Sequence, residues 1–406
     1  MKSLIQDALK YARYGQDYGV EKEINGAKIL VMGTGGAGNN TIDKLVSMGI
    51  KGAECIAINT DKQHLDFVRS DRKILIGGEV TRGLGAGGYP ELGAAAAEES
   101  REALREVLSG ADLVFIAAGM GGGTGTGSSP VIAEIAKESD TIVVGVVTMP
   151  FRIEKGRIGK ARLGLKNLQE HADTVVVIDN NRLLDIAPHL PIRKAFSIVD
   201  EVLANMVKGI TETISLPSLI NLDYADVKSI MSSGGVALVG LGEAGRSSGV
   251  HKDEEEQSIF GGGNSGGDGD RKKLSRVDEA VRNALNSPLL DIDYEGATGA
   301  LIHIVGGEDL TLEEANRVGD MITSKMDPNA QVIWGARISR RMSGLLRVML
   351  ILTGVRSPQL LGRCDDGSDV GQSTWDRNAL VPRGLSSKFN MTDRDIGNLG
   401  LDRMDG

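Results

Sequence analysis

The segment Gly119-Met120-Gly121-Gly122-Gly123-Thr124-Gly125-Thr126-Gly127-Ser128-Ser129-Pro130 joins two stretches of different character. Before it, Leu113 to Ala118 is a continuous apolar run, which is typical of a strand covered on both faces. After it, Ser128 or Ser129 can cap a helix whose first turn accepts Pro130. A flexible glycine linker is the alternative, but a linker would not be locked between a strand and a capped helix. The segment therefore predicts a defined loop of a parallel α/β sheet.

This glycine segment also has the chemistry of a phosphate-binding loop. Glycines let the backbone approach an anion closely, and the free N–H groups of the loop and helix start lie at the positive end of the helix dipole. The hydroxyls of Thr124 and Thr126 add groups for phosphate oxygens or for the water shell of a magnesium ion. We therefore expect a phosphate-bearing ligand at this position.

A second glycine segment follows another short strand. Lys28 to Met32 precede Gly33-Thr34-Gly35-Gly36-Ala37-Gly38-Asn39-Asn40, and a helical pattern runs from Thr41 to Val46. The G-x-G-x-x-G spacing matches the dinucleotide fingerprint, and the next strand, Cys55 to Ile58, ends in Asn59-Thr60-Asp61, so this segment alone leaves a nicotinamide-dependent enzyme open. Two such segments in one domain favour a triphosphate held from two sides. The G-x-x-x-x-G-K-[ST] pattern of ordinary NTPases is absent.

Several separate motifs resemble, in the same order, those of the FtsZ branch of the tubulin-like GTPases, and more closely its archaeal members. The resemblance extends from about Ala27 to about Pro358. The motifs of the first half are GGAGNN (Gly35 to Asn40), NTD (Asn59 to Asp61), GLGAGGYPELG (Gly83 to Gly93), GGGTGTG (Gly121 to Gly127) and TMPF (Thr148 to Phe151). Those of the second half are NLDYAD (Asn221 to Asp226), SPLLD (Ser287 to Asp291), GATGALIHI (Gly296 to Ile304) and DPNAQVIWGA (Asp327 to Ala336).

The resemblance implies an α/β fold with a tubulin/FtsZ-like, doubly wound parallel-sheet GTPase domain, a long central helix and a second α+β domain. Alternating strand and helix patterns up to Val175–Ile178 agree with a parallel sheet, and an apolar stripe from Ile192 to Ile210 is broad enough to be buried between two domains. The predicted organisation is an N-terminal helical arm (1–26), the nucleotide-binding GTPase domain (27–190), the central connecting helix (191–215), a C-terminal domain (216–361) with a disordered insertion (245–274), and a disordered tail (362–406).

For the nucleotide, the resemblance implies ligands on several loops. Guanine presents two adjacent donors that the ionised carboxylate of Asp200 can accept, while Phe196 stacks on the base and Asn180 contacts it. Glu154 and Arg157 are the implied ribose ligands. The other predicted nucleotide-binding residues are Gly35, Gly36, Ala37, Asn39, Asn40, Asp61, Gly87, Gly88, Gly121, Gly122, Gly123, Thr124, Gly125, Thr126, Gly127 and Pro150.

Hydrolysis, by the same resemblance, depends on a second subunit. Asn221, Asp223 and Asp226 lie in NLDYAD at the predicted start of a helix, a loop that in the family reaches the γ-phosphate of the next subunit when copies stack head to tail. The carboxylates would position and polarise water and help to hold magnesium. Two residues depart from the family pattern, Ser218 for glycine and Tyr89 for an asparagine near the γ-phosphate, and both leave these carboxylates in place.

The sequence therefore predicts a GTP-dependent polymerising protein of cell division, with GTP or GDP and Mg²⁺ as its ligands. Hydrolysis at the contact between subunits would make the protofilaments dynamic. Three alternatives stay open: a tubulin-like shape or scaffold protein with little hydrolysis, a nicotinamide-dependent enzyme, and a nucleotide-binding regulator that never polymerises.

Composition limits the class of partner. Lys and Arg number 46 against 55 Asp and Glu, a net charge of −9, so nothing points to nucleic acid. Only Cys55 and Cys364 occur, no apolar stretch reaches a membrane span, and the five histidines show no metal-ligand spacing. We expect a cytoplasmic protein at the division site that associates with itself. An adaptor would tether its C-terminal tail to the membrane, with 395–404 as the candidate segment.

Overall fold

The computed structural model describes residues 27–186, 189, 191–215, 224–232, 236–245, 275–285 and 294–355. Three predicted segments lie outside this part of the chain: the N-terminal arm, the insertion beyond residue 245 and the C-terminal tail. Asn221, Asp223 and Ser218 also lie outside the described residues.

The described residues form ten strands in one sheet. The strands are β1 (Ile29–Thr34), β2 (Glu54–Asn59), β3 (Arg72–Leu75), β4 (Leu113–Gly119), β5 (Ile142–Met149), β6 (Thr174–Asp179), β7 (Val236–Gly245), β8 (Gly299–Gly306), β9 (Gln331–Ile338) and β10 (Leu345–Thr353). Their order across the sheet is β3-β2-β1-β4-β5-β6-β7-β10-β8-β9.

The first six strands are all parallel, in the order of a doubly wound sheet. Their continuous apolar runs are explained by helices on both faces. In β4, Leu113 and Phe115 enter one apolar core, whereas Val114 and Ile116 enter the core on the opposite face. All four side chains are fully buried. The predicted doubly wound domain is therefore confirmed.

The last four strands form a mixed sheet that continues the first. β7 joins β6 through two parallel residue pairs, Val175 with Val236 and Val176 with Ala237. β10 runs antiparallel to both β7 and β8, and β9 pairs in parallel with β8 at the outer edge. This arrangement confirms the predicted α+β character of the second half.

Eleven α-helices flank the sheet within the described residues. They are α1 (Gly35–Ser47), α2 (Lys62–Phe67), α3 (Pro90–Glu99), α4 (Arg101–Leu108), α5 (Thr124–Lys137), α6 (Lys155–His171), α7 (Arg182–Ile186), α8 (Ile192–Ser215), α9 (Tyr224–Met231), α10 (Arg276–Leu285) and α11 (Leu312–Thr323), and a short 3₁₀ helix spans Arg340–Met342.

Two predicted helix starts are wrong. The first helix begins at Gly35 and not at Thr41, and α5 begins at Thr124, so Pro130 lies inside it and not in its first turn. Tertiary packing overrides the weak helix propensity of glycine here. A Cβ on Gly127 would lie 1.9 Å from the Pro90 carbonyl oxygen, so the absence of a side chain is what lets α3 pack against α5.

The predicted long central helix is α8, and it packs between the two halves of the sheet. On one side the Lys208 ammonium donates a hydrogen bond to the Met48 carbonyl at 2.7 Å. On the other side a Cβ on Gly209 would lie 2.4 Å from the Met349 sulfur in β10. Val207 and Ile210 are buried in the shared core. The helix thus connects the parallel half of the sheet to the mixed half through one apolar layer.

Candidate functional site

The two glycine segments meet at the topological switch point of the parallel sheet. β1 pairs with β2 on one side and with β4 on the other, so the connections after β1 and β4 lead to opposite faces. Helices α1 and α5 start at this point, and their first turns touch. A Cβ on Gly35 would lie 2.8 Å from the Gly125 nitrogen. We call this pair of helix starts, with Gly121 to Gly123, the cradle.

The cradle presents backbone N–H groups that lack a partner. Within the described residues, no group accepts a hydrogen bond from the N–H of Gly35, Gly36, Gly122 or Gly123. Two helix N-termini with free donors and no side chains in the way fit a polyphosphate, because the donors and both helix dipoles favour negative charge. The observed backbone therefore suits the ligand that the glycine pattern predicts.

Hydroxyl groups hold the cradle together. Thr34 and Ser128 share a hydrogen bond of 2.5 Å between their hydroxyls, and Thr60 and Thr124 share one of 2.6 Å. The Thr126 hydroxyl accepts the Gly121 N–H at 2.8 Å. Thr124 and Thr126, predicted as phosphate ligands, thus also stabilise the loop from within.

Asp61, another predicted nucleotide ligand, caps helix α2. Its carboxylate accepts the His64 N–H at 3.1 Å, and it is half-buried. Just before it, the Asn59 side-chain oxygen accepts the Thr60 N–H at 2.9 Å. The motif NTD therefore forms a tight turn after β2. Asp61 lies at the carboxyl ends of the parallel strands, the same end of the sheet as the cradle.

Gly87 and Gly88 lie in a loop with an unusual backbone. Arg82, Gly83, Gly85, Gly87 and Gly88 all have positive φ, a region that strongly favours glycine. The loop packs on the cradle, since a Cβ on Gly123 would lie 2.8 Å from the Ala86 Cβ. The loop that carries Gly87 and Gly88, both predicted to bind the nucleotide, therefore lies beside the cradle.

The predicted base-binding residues lie directly after β6 and on α8. Asn180 is 7 % exposed, and its side-chain oxygen has no hydrogen-bond partner, which suits a buried amide that receives a ligand donor. Phe196 is exposed and packs edge-on against Phe151, with ring centroids 5.7 Å apart. Asn39, on the neighbouring helix α1, is fully buried with both amide atoms unpartnered.

The Asp200 side chain lines a polar cleft between α1, α2 and α8. Burial raises the pKa of its carboxyl to about 6, and the charge of Lys44 partly opposes that shift. The cleft has a volume of about 510 Å³, and the residues that line it are Asn40, Asp43, Lys44, Ser47, His64, Phe67, Val68, Arg69, Ser197 and Asp200. Lys44 was not among the site residues predicted from the sequence, although its position one helical turn after Asn40 indicates that both share a face.

The predicted ribose ligands contact each other. Glu154 and Arg157 form an ion pair of 2.7 Å, and the second Glu154 oxygen accepts the Phe151 N–H at 3.0 Å. Pro150 is buried beside them, and its carbonyl accepts a hydrogen bond from Asn181. A Cβ on Gly121 would lie 2.9 Å from the Arg157 Cβ, so the pair borders the cradle.

Asp226 lies at the opposite end of the parallel strands from the cradle. It is half-buried in the first turn of α9, and this helix is attached where the parallel strands begin. The Tyr224 hydroxyl donates to the carbonyl of Asp112, which immediately precedes β4, and the Thr174 hydroxyl donates to the carbonyl of Met231. The cradle follows the far end of β4. A strand of seven residues spans about 23 Å, so one chain does not bring Asp226 to its own cradle.

Among the described residues, no three His, Cys, Asp or Glu side chains gather in a way that could hold a metal ion. No helix in that part of the chain is long and apolar enough to cross a membrane.

Two sequence families match this chain. "Tubulin/FtsZ family, GTPase domain" matches residues 28–188, and "FtsZ family, C-terminal domain" matches residues 262–356. Cell division protein FtsZ 2 of Methanocaldococcus jannaschii is 56% identical, over 98% of this chain and 95% of that protein. Cell division protein FtsZ 2 of Halobacterium salinarum is 49% identical, over 89% of this chain and 86% of that protein.

A solved structure agrees with these sequence relatives. It is described as an empty FtsZ dimer of M. jannaschii, is 47% identical, and superposes with a TM-score of 0.70 over 86% of this chain and 92% of that one. The resemblance inferred from the motifs is thereby confirmed. The chain belongs to the FtsZ branch of the Tubulin/FtsZ family of GTPases.

Proposed function

We propose that this GTPase is a cytoskeletal protein of cell division whose copies assemble head to tail and hydrolyse GTP at the contact between subunits. The names of the relatives support the division role, and the solved FtsZ dimer supports self-association. GTP turnover would weaken the contact between subunits and keep the filaments dynamic.

The separation of the cradle and Asp226 carries this proposal. The nucleotide-binding groups gather where the parallel strands end, whereas α9 is attached where they begin. A carboxylate at the opposite end of the strands can act on a phosphate in the cradle only if it belongs to a second copy of the chain. The site is therefore complete in the assembly and incomplete in the single chain.

Each group of residues has a proposed role. The free N–H groups of the cradle hold the phosphates, Glu154 and Arg157 hold the ribose, and Asn180, Phe196 and Asp200 select guanine. Asn221, Asp223 and Asp226 of the next subunit orient and polarise the attacking water. Mg²⁺ bound to the phosphate oxygens would neutralise the charge that develops on them.

The division role in the names of the relatives supports a proposal about the cellular setting. We infer a location in the cytoplasm at the division site, with a membrane adaptor bound to the C-terminal tail. The domain organisation that accompanies this role is the GTPase domain (27–190), the central helix (191–215) and the C-terminal domain (216–361).

Mixing two inactive variants tests the shared site. Asp226→Ala should bind GTP normally and lose at least about a hundredfold in turnover, because the water-orienting carboxylate is missing. Asp200→Ala should lose guanine binding while it keeps an intact Asp226. If the site is shared, the mixture regains turnover, since the GTP bound by one variant meets the Asp226 of the other.

The control mixture pairs Asp226→Ala with the double variant Asp226→Ala/Asp200→Ala, which has no intact carboxylate to offer and should stay inactive. Phosphate release gives the turnover, and nucleotide retention on the isolated Asp226→Ala protein gives the binding. Loss of GTP binding by Asp226→Ala, or no recovery in the first mixture, would contradict hydrolysis between subunits.

A further inference from the structure

A lysine outside the predicted site contacts the loop that covers the cradle. Lys160 lies on α6, and its ammonium donates a 2.7 Å hydrogen bond to the Gly88 carbonyl. The same ammonium lies 5.2 Å from the centre of the Tyr89 ring, within the range of a cation–π contact. Within the described residues, the structure gives this cation no carboxylate partner. In this part of the chain, the ammonium therefore interacts with one carbonyl oxygen and one aromatic ring.

The loop that Lys160 contacts, 82–89, is joined at its start to the turn after β2, where the Lys62 N–H donates to the Gly83 carbonyl and the Gly85 N–H donates to the Thr60 carbonyl. The N–H groups of Ala86, Gly87 and Gly88 have no acceptor in the described part of the chain. Five of its eight residues have positive φ, so the backbone follows a path that most sequences avoid. A loop of this kind needs external contacts to keep one conformation.

Two contacts made by neighbours of Lys160 show that it lies near the cradle. Ala86, at the centre of the loop, packs on Gly123 of the cradle. Arg157, one helical turn before Lys160, packs on Gly121. Helix α6 thus presents two cations on one face, Arg157 beside the glycine segment and Lys160 beside the loop above it.

We propose that Lys160 is a positioning residue for the terminal phosphate of the bound nucleotide. By holding the Gly88 carbonyl, it prevents this negative end of the peptide dipole from facing the phosphate. The free N–H groups of Gly87 and Gly88 are then available to the anion. Tyr89 supports the ammonium from its ring face, so Lys160 and Tyr89 act as one clamp. This inference rests on the proposed function, because it assigns the loop to the γ-phosphate of GTP.

The clamp should matter for a triphosphate and hardly for a diphosphate. We expect Lys160→Met to raise the Kd for GTPγS about tenfold, the size expected for a hydrogen bond to a charged group, and to change the Kd for GDP by less than about twofold. Lys160→Arg keeps the charge and should keep GTPγS binding within about threefold of the wild type. Both constants are measured by calorimetry below the concentration at which the protein assembles.

Tyr89 separates a positioning role from direct contact with the phosphate. If Lys160 acts through the loop, Tyr89→Ala should weaken GTPγS binding, Tyr89→Phe should not, and Lys160→Met/Tyr89→Ala should lose no more than Lys160→Met alone. Additive losses would overturn the clamp in favour of direct contact. Equal weakening of GDP and GTPγS would overturn it in favour of a general structural role, which thermal unfolding of each variant also reports.

The wild-type protein in the same series separates this inference from the proposed function. If the wild type binds neither guanine nucleotide, the proposed function fails. If it binds both and Lys160→Met behaves like the wild type, the assignment of Lys160 is wrong and the proposed function stands.

Discussion

At the scale of single residues, the role proposed for Asp200 links nucleotide recognition to pH. Burial raises the pKa of its carboxyl to about 6, above the usual value for aspartate. Only the ionised carboxylate accepts both adjacent donors of guanine, whereas the protonated acid presents a donor of its own. The guanine contact proposed for Asp200 therefore requires the deprotonated form of this residue.

We predict that GTP affinity falls when the pH drops below 6. At pH 7 Asp200 is mostly ionised, and at pH 5 about one molecule in ten is, so the Kd should rise about tenfold between these values. Titration of a fluorescent GTP analogue between pH 7.5 and 5 measures this change. Asp200→Asn, which cannot ionise, should bind weakly and with a flat pH profile. A wild-type Kd that stays constant down to pH 5 would contradict the assignment.

At the scale of secondary structure elements, two arginines join α10 to the α11 region in different environments. The Arg276 side chain is only 4% exposed and forms ion pairs with Asp309 and Glu314, at 2.5 and 2.7 Å. Arg317 is 56% exposed and pairs with Asp278 at 2.8 Å. The Arg276 guanidinium lowers the pKa of the Glu314 carboxyl. Removal of the Arg276 guanidinium would therefore leave both carboxylates without their counter-charge.

We predict that Arg276→Ala lowers the free energy of unfolding by about 3 kcal/mol, because it removes one partner of a buried ion pair. Arg317→Ala, which breaks an exposed pair between the same helices, should cost less than about 1 kcal/mol. Urea unfolding of both variants, followed by circular dichroism, compares them directly. Equal losses from the two substitutions would show that burial does not control the strength of these contacts.

At the scale of the whole molecule, the two ends of the parallel strands carry different groups of one proposed reaction: the cradle at one end and Asp226 at the other. The cradle lies where β4 ends, and α9 is attached where β4 begins. Each subunit in a head-to-tail row would therefore use its own cradle and its neighbour's α9. Turnover and assembly are then two measures of the same contact.

We predict that GTP turnover per molecule rises with protein concentration, together with light scattering, above one threshold. The reason is that an isolated chain lacks the carboxylate at its own cradle. Both signals are followed in the same cuvette. Flat turnover without scattering would indicate a nucleotide-binding regulator, and scattering without turnover would indicate a stable scaffold.

Much of the fold was predictable because it depends on local pattern. The apolar runs of β1, β4 and β6 are long enough to be recognised as strands buried on both faces. The starts of α1 and α5 were not predictable in the same way. Glycine has low helix propensity, and only close packing, such as that of Gly127 on Pro90, makes these turns helical.

By itself, the sequence determined the family, the doubly wound order of strands and helices, and the glycine segments that suit a phosphate, because each of these depends on residue types at fixed spacing. Only the tertiary structure decided which groups meet. It placed Lys160 on Gly88 and separated Asp226 from the cradle by the length of a strand. Such contacts join residues far apart in the chain, so no local pattern records them.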